Sequence, residues 1–224
     1  MEILQNDYTL QIPAGCFPLT TDSLLLADFV RLPANATVLD LGSGCGTLGL
    51  LLCAKDGSCS VLGLEIDPRA HEAALENIHR NGLDARLRSQ NADLRTATGN
   101  YHCCVSNPPY YTGGPASTLH SAARRDDLCG PEELMQAASS ALRYGGDLYI
   151  VHKPERLAQL CACGSAVGLE AKRLRLVRHR CDGPITLILL QLRKGGKPGL
   201  VIDEVFLHTQ DGSPSDYYNK LYHL

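Results

Sequence analysis

From residue 37 onward, short aliphatic runs alternate with helical segments, and this alternation restricts the fold more than any other feature of the chain. TVLDLG (37–42), SVLGLEID (60–67), a run within ARLRSQNAD (85–93), CCVSN (103–107) and DLYIVHK (147–153) read as strands. Between them lie GTLGLLLCAK (46–55), PRAHEAALENIHRNG (68–82), PEELMQAASSALRYGG (131–146) and PERLAQLCACGSAVG (154–168), which read as helices. Pro68 and Pro131 stand in first turns and Gly82 and Gly145 at helix ends, where each is favoured. Ala74, Leu75 and Ile78 mark an apolar stripe on the second helix. Strands separated by helices pair in parallel through right-handed crossovers. AKRLRLVRHR (171–180) and PITLILLQLRK (184–194) have no helix between them, which predicts a terminal antiparallel hairpin. The expected class is α/β, with a mostly parallel central sheet, an antiparallel C-terminal hairpin and helices on both faces. One domain, 1–224, is expected: a cap segment (1–36), a core (37–197) and a tail (198–224) that packs on the core and closes in a short helix.

With 44% hydrophobic and 20% charged residues, the composition is that of a globular protein. No run approaches the roughly 18 apolar residues of a membrane helix, and MEILQNDYTLQIP lacks the basic end and apolar centre of a signal peptide. A cytoplasmic protein, without membrane contact and monomeric or weakly dimeric, is expected. The ten cysteines include an adjacent pair and Cys161-Ala-Cys163, which lacks the two-residue spacer of zinc pairs, so no metal site is expected. A net charge of −3 does not mark a general polyanion binder. Even so, KRLRLVRHR (172–180) and RKGGK (193–197) place eight of 21 basic residues within 26 positions. Two readings are open: a solvated strand face alternating with Leu174 and Leu176, or a patch in which Arg173, Arg175 and Arg178 contact phosphates.

The first strand runs into VLDLGSGCGTLG. Gly44, Gly46 and Gly49 satisfy G-x-G-x-x-G, the outline of a dinucleotide site when joined to Glu65 on the next strand. Gly42, Gly44 and Gly46 also form G-x-G-x-G behind Asp40. In this second form DLGSGCG resembles motif I of the class I S-adenosylmethionine-dependent methyltransferases, whose fold is Rossmann-like. The resemblance implies S-adenosyl-L-methionine as cofactor, with Asp40 near its methionine amino group and the glycines admitting it to the backbone. It further implies Glu65 on the ribose hydroxyls, Asp93 on the adenine amino group and Ile66 beside it. Acids at successive strand ends on one rim suit the place where open α/β sheets bind ligands.

The fourth strand ends in SNPPYY (106–111). Asn107-Pro108-Pro109-Tyr110 resembles the [ND]-P-P-[YF] motif of methyltransferases acting on planar nitrogens. An exocyclic amino nitrogen shares its lone pair with the ring, and an amide oxygen with a backbone carbonyl can accept its two N–H bonds and orient it. The prolines would hold that carbonyl, Tyr110 would stack on the base, and Tyr111 would stack or pack the next loop. A nicotinamide oxidoreductase would leave this segment unexplained.

The motif serves adenine N6, guanine N2 of ribosomal RNA and glutamine of release factors. TTDSLLLADF (20–29), SNPPYY, the Ala123-Arg124 pair and the tyrosine-rich tail resemble the bacterial tRNA1(Val) (adenine-N6)-methyltransferases. That resemblance implies tRNA as partner, Thr21 and Asp22 over the cofactor or at the pocket mouth, and Arg124 on RNA; Thr21 or Asp22 also fits a helix N-cap. With few basic residues between Tyr111 and Pro131, RNA grip is expected from 172–197. A release-factor enzyme would call for a separate N-terminal helical domain, and only 36 residues precede the first strand. A methyltransferase fold kept solely for RNA binding would not require the intact acids and SNPPY.

Overall fold

The computed structural model describes residues 1–109 and 129–222. The chain opens with a short pair, β1 (Glu2–Ile3) and β2 (Thr9–Leu10), followed by α1 (Thr21–Phe29). Then come β3 (Thr37–Leu41), α2 (Thr47–Lys55), β4 (Ser60–Glu65), α3 (Pro68–Arg80), β5 (Leu87–Asn91) and β6 (Tyr101–Ser106). The second half holds α4 (Pro131–Ala141), β7 (Leu142–His152), α5 (Leu157–Ala166), β8 (Leu169–Arg180), β9 (Ile185–Lys194), β10 (Val201–His208) and α6 (Asp216–Tyr222). Among the described residues eight strands form one sheet, ordered β10-β8-β9-β7-β6-β3-β4-β5, in which only β9 runs against its neighbours. The α/β class, the parallel sheet and the β8–β9 hairpin are as the sequence leads one to expect.

Period-two alternation divides the core between the two faces. Val38, Cys103, Val105, Tyr149 and Val151 join Leu25, Leu26 and Phe29 of α1 and Leu50 of α2. Leu39, Cys104, Leu148 and Ile150 join Leu134, Met135 and Ala138 of α4 and Leu160 of α5. Each such aliphatic side chain contributes about 1.5–3 kcal/mol on burial.

Three elements differ from the sequence reading. The helix expected to reach Gly145 stops at Ala141, and Leu142 already pairs with Tyr101. Gly145 (φ +76°) and Gly146, whose added Cβ would lie 3.0 Å from the carbonyls of Arg143 and His102, accompany an irregular register there, so the glycines serve a bulge within β7. Residues 201–208 are an edge strand parallel to β8, within the tail segment to which the sequence reading assigned no strand. On α3, Ala74 and Ile78 are buried but Leu75 is 45% exposed. Buried Asn77 shares the inner face instead. Its amide accepts from Gln11 N–H (2.9 Å) and donates to the carbonyls of Gln11 (2.9 Å) and Cys45 (3.0 Å). Asn81 likewise exchanges two bonds with the backbone of Thr9. These amides give the N-terminal segment the partners a neighbouring strand would supply.

Candidate active site

The carboxyl ends of β3, β4, β5 and β6 form one rim. At the end of β3 the chain turns through Gly42, Gly44 and Gly46, with φ of +80°, +54° and +83°. A Cβ on Gly42 or Gly44 would meet nothing within 4 Å, so the left-handed backbone, not crowding, requires glycine there. The space above this turn is open to a ligand. Gly49 acts differently, since a Cβ would lie 2.5 Å from Leu87 and separate α2 from β5. The turn is fixed by bonds from the N–H groups of Gly42 and Ser43 to Leu64 O, both 3.0 Å.

Asp40, just before the turn, is buried with neither carboxylate oxygen partnered. Burial raises its pKa to about 8, with a further contribution from the Glu65 charge. A buried carboxyl without a partner is costly to ionise, and a cationic ligand group would relieve that cost. Glu65 accepts the Gly44 N–H at 2.7 Å on Oε2 and the Asp67 N–H at 2.8 Å on Oε1, leaving lone pairs on both oxygens. Ile66 follows it, 44% exposed, an apolar surface at the mouth of the turn. Asp93 follows β5 but is engaged. It caps a short 3₁₀ turn through Arg95 N–H (2.9 Å) and receives Arg95 Nε at 2.8 and 3.0 Å. Arg95 holds this carboxyl below its ordinary range.

Asn107 leaves β6 next to the glycine turn, because β6 and β3 are neighbours and Ser106 Oγ donates to Leu41 O at 2.8 Å. Its Nδ2 donates to Ser23 Oγ at 3.1 Å. Ser23 is buried in the first turn of α1, beside half-buried Thr21 and Asp22. The helix is capped at Thr20, without a side-chain cap bond, rather than at Thr21 or Asp22. Thr21 Oγ1 instead bonds the Tyr222 hydroxyl (2.7 Å), tying α6 to the site. Pro108 and Pro109 follow Asn107, whereas Tyr110, Tyr111 and Arg124 lie outside the described residues. Ser23, Tyr222 and Gly63 escaped the sequence reading; a Cβ on Gly63 would fall 2.6 Å from Ser43 Oγ.

The basic segment divides. Arg175 is paired with Asp203 (2.7 and 2.8 Å) and also reaches Asp28 and the Tyr217 hydroxyl, each at 3.4 Å. Arg178 is paired with Glu204 (3.0 Å) and donates to Gly183 O. Acids of the unexpected strand β10 thus take up both charges, and neither arginine presents an unpaired cation to a phosphate. Arg173 and Arg175 are not a solvated face either; Arg173 lies 4.3 Å over the Phe29 ring.

Comparison with known proteins accords with this geometry. Residues 19–160 match the Methyltransferase small domain family. The tRNA1(Val) (adenine(37)-N6)-methyltransferase of Bacteroides fragilis is 31% identical over 212 residues, 90% of this chain and 87% of that one. The enzyme of the same name from Dickeya chrysanthemi is 30% identical over 79% of this chain and 73% of its own. The fold matches a predicted O-methyltransferase from Agrobacterium tumefaciens with a TM-score of 0.75 at 20% identity, over 90% of this chain and 95% of that one. With a family match over residues 19–160 and nearly full-length relatives at 31% identity, the chain belongs to the small-domain methyltransferases, alongside the tRNA1(Val) (adenine(37)-N6)-methyltransferases.

Proposed function

We propose that the chain transfers a methyl group from S-adenosyl-L-methionine to N6 of an adenine beside the anticodon of a tRNA. The observation that carries this reading is the pairing of two features on adjacent strands: the unpartnered, buried Asp40 under an open glycine turn, and Asn107-Pro108 at the end of β6. When bound, S-adenosyl-L-methionine supplies a methyl group on a sulfonium, electrophilic without further activation.

Asp40 would take the methionine amino group, and the backbone at Gly42, Gly44 and Gly46 would admit the cofactor closely. Glu65 would receive the ribose hydroxyls on its remaining lone pairs, and Ile66 would pack against the adenine. Asp93 would reach the adenine amino group only in competition with Arg95. Thr21 and Asp22, at the start of α1, would stand over the cofactor or at the mouth of the target pocket.

The substrate's exocyclic amino group would donate to Asn107 Oδ1 and to the Pro108 carbonyl, which Pro109 holds rigid. These acceptors turn the lone pair outward and stabilise positive charge developing on nitrogen. Because the electrophile is already activated, the amino proton leaves after transfer and no strong base is required. Tyr110 and Tyr111 are assigned to base stacking and Arg124 to RNA, on sequence grounds. A base in an unpaired loop enters such a pocket at less cost than one in a duplex.

The test is transfer of radiolabelled methyl to tRNA, ribosomal RNA, DNA and release factor in parallel, followed by nucleoside and peptide analysis. Label is expected in N6-methyladenosine from tRNA. Label on glutamine or on guanine N2 would overturn the assignment.

A further inference from the structure

A cavity of about 510 Å³ lies at the end of the sheet opposite the catalytic rim and is strongly cationic. It is bordered by His102 near the start of β6, Arg143 near the start of β7, Lys172 and Arg173 early in β8, and Arg193 near the end of β9. Arg31, two residues beyond α1, completes the wall. Asp147 is the single acid in the lining, and it is taken by Arg193 in a two-pronged pair at 2.8 and 2.9 Å. Four cations remain, none ion-paired to a described residue. Lys172 donates to Lys197 O (2.8 Å), and Arg173 approaches Phe29 O (3.4 Å). The side chains of Arg31 and Arg143 have no polar partner among the described residues, and both are exposed.

The surroundings favour an anion further. His102 Nδ1 lies 3.2 Å from Thr37 N and accepts its N–H, so the neutral ring carries its proton on Nε2. Buried Gln191 lines the cavity with its side-chain oxygen unpartnered; turned over, that amide would offer N–H groups. Burial first, and then the charge of Arg31, push the Arg173 guanidinium pKa down, although Asp203 nearby acts in the opposite direction. Four cations with no ion-pair partner among the described residues, in a chain of net charge −3, are a local field opposed to the global one.

We infer that this cavity binds backbone phosphates of the same RNA whose base enters the catalytic rim. The inference rests on the function proposed above. Helix α1 links the two places, with Ser23 at Asn107 and Arg31 in the cavity wall. Six residues of helical rise from Ser23 to Phe29 and two extended residues to Arg31 amount to about 15 Å. At about 3.4 Å of rise per nucleotide in a stacked strand, this is about four nucleotides, within reach of the stem that carries the target loop.

The test is the Arg31→Glu, Arg143→Glu double variant, which alters two exposed side chains remote from the catalytic rim. Binding of tRNA is followed by fluorescence anisotropy across a salt series, with cofactor binding by calorimetry as the control of folding. Affinity for tRNA is expected to fall about tenfold or more, and the slope of log K against log salt to become shallower by about 1.4–1.8 for two lost phosphate contacts. Cofactor affinity should not change. An unaltered slope in a variant that still binds cofactor would overturn the inference while leaving the methyltransferase reading intact. Pyrophosphate that stabilises only the wild-type protein against heat, with an unaltered RNA slope, would also overturn it, by making the ligand a free anion. Absence of methyl transfer to tRNA by the wild-type protein would instead remove the reading on which the inference rests.

Discussion

Asn107 Nδ2 lies 3.1 Å from Ser23 Oγ, so the amide at the end of β6 is oriented by a buried hydroxyl on α1. Which end of that amide faces a substrate amino group is therefore set partly from another element. Ser23→Ala removes one bond, worth about 0.5–1.5 kcal/mol, and should lower kcat about three- to tenfold as Asn107 samples other orientations. Asn107→Ala should lower kcat by two or more orders of magnitude, with cofactor affinity retained in both variants. Single-turnover methylation with parallel calorimetry reads both effects. Full activity in Ser23→Ala would mean that Asn107 is held by its other neighbours.

Asp40 gives a pH dependence of definite sign. Its folded pKa, about 8, lies above the ordinary carboxylate value of 3.8. Between these limits the unfolded chain releases a proton that the folded one keeps, so this group makes stability fall as pH rises from about 4 to about 8. A cationic ligand group on Asp40 favours its ionised form. Cofactor affinity should therefore rise with pH up to about 8, approaching tenfold per unit well below that value. Asp40→Asn should bind more weakly and with a flatter profile. Calorimetry between pH 6 and 9 checks both slopes, and an equally steep profile in Asp40→Asn would assign the titration to another group.

Gly63 tests whether the glycine turn is held from beneath. A methyl at this position would sit 2.6 Å from Ser43 Oγ and 2.7 Å from Ser43 Cβ, so the turn must move. Overpacking of this kind costs about 1–3 kcal/mol. Gly63→Ala should weaken cofactor binding at least tenfold, although residue 63 lies on the strand and not in the turn. Cofactor titration with a thermal melt measures it. Unchanged affinity would show that the turn adapts freely.

The alternation that reveals β3 to β9 is legible because each strand is short, aliphatic and punctuated by Gly or Pro. Asp40, Glu65, Asn107 and the glycines are legible for a related reason: they fall at strand ends, where chain position and spatial position coincide. The misread elements depend on distant partners. Val201–His208 lies outside the alternation of strands and helices, and its place in the sheet shows only when Asp203 and Glu204 are set opposite Arg175 and Arg178. The same pairing explains why a run of basic residues did not become one cationic surface. Arg31, Arg143 and Arg193 come together from three separate segments, a cluster no local pattern announces. Ser23 and Asn77 look like ordinary helix residues, and only the approach of Asn107 or Gln11 gives them a role.

The link between Arg175 and the tail yields the last prediction. Arg175 joins Asp203 of β10, Asp28 of α1 and Tyr217 of α6, with only 16% of its side chain exposed. Charge-assisted bonds of this kind contribute about 1.5–3 kcal/mol, and their loss takes from Asp203 its bidentate partner and leaves Asp28 with Lys220 at 4.0 Å. Arg175→Met should therefore lower stability by about 2 kcal/mol, or roughly 4–8 °C in Tm for a chain of this size. Arg175 holds the Asp203 carboxyl below its ordinary range, so this contribution is present above about pH 4 and disappears as pH falls through the lowered value. The deficit of the variant should accordingly shrink in acid. Because α6 also carries Tyr222, which bonds Thr21 in the first turn of α1, loosening the tail should weaken substrate binding more than cofactor binding if Thr21 borders the target pocket as proposed. Tyr222→Phe, which keeps Arg175 and removes only that hydroxyl, should reproduce the substrate effect without the loss of stability. Melting curves at about pH 2 and pH 7 with KM values for both ligands check these outcomes, and a Tyr222→Phe protein as unstable as Arg175→Met would contradict the assigned division of roles.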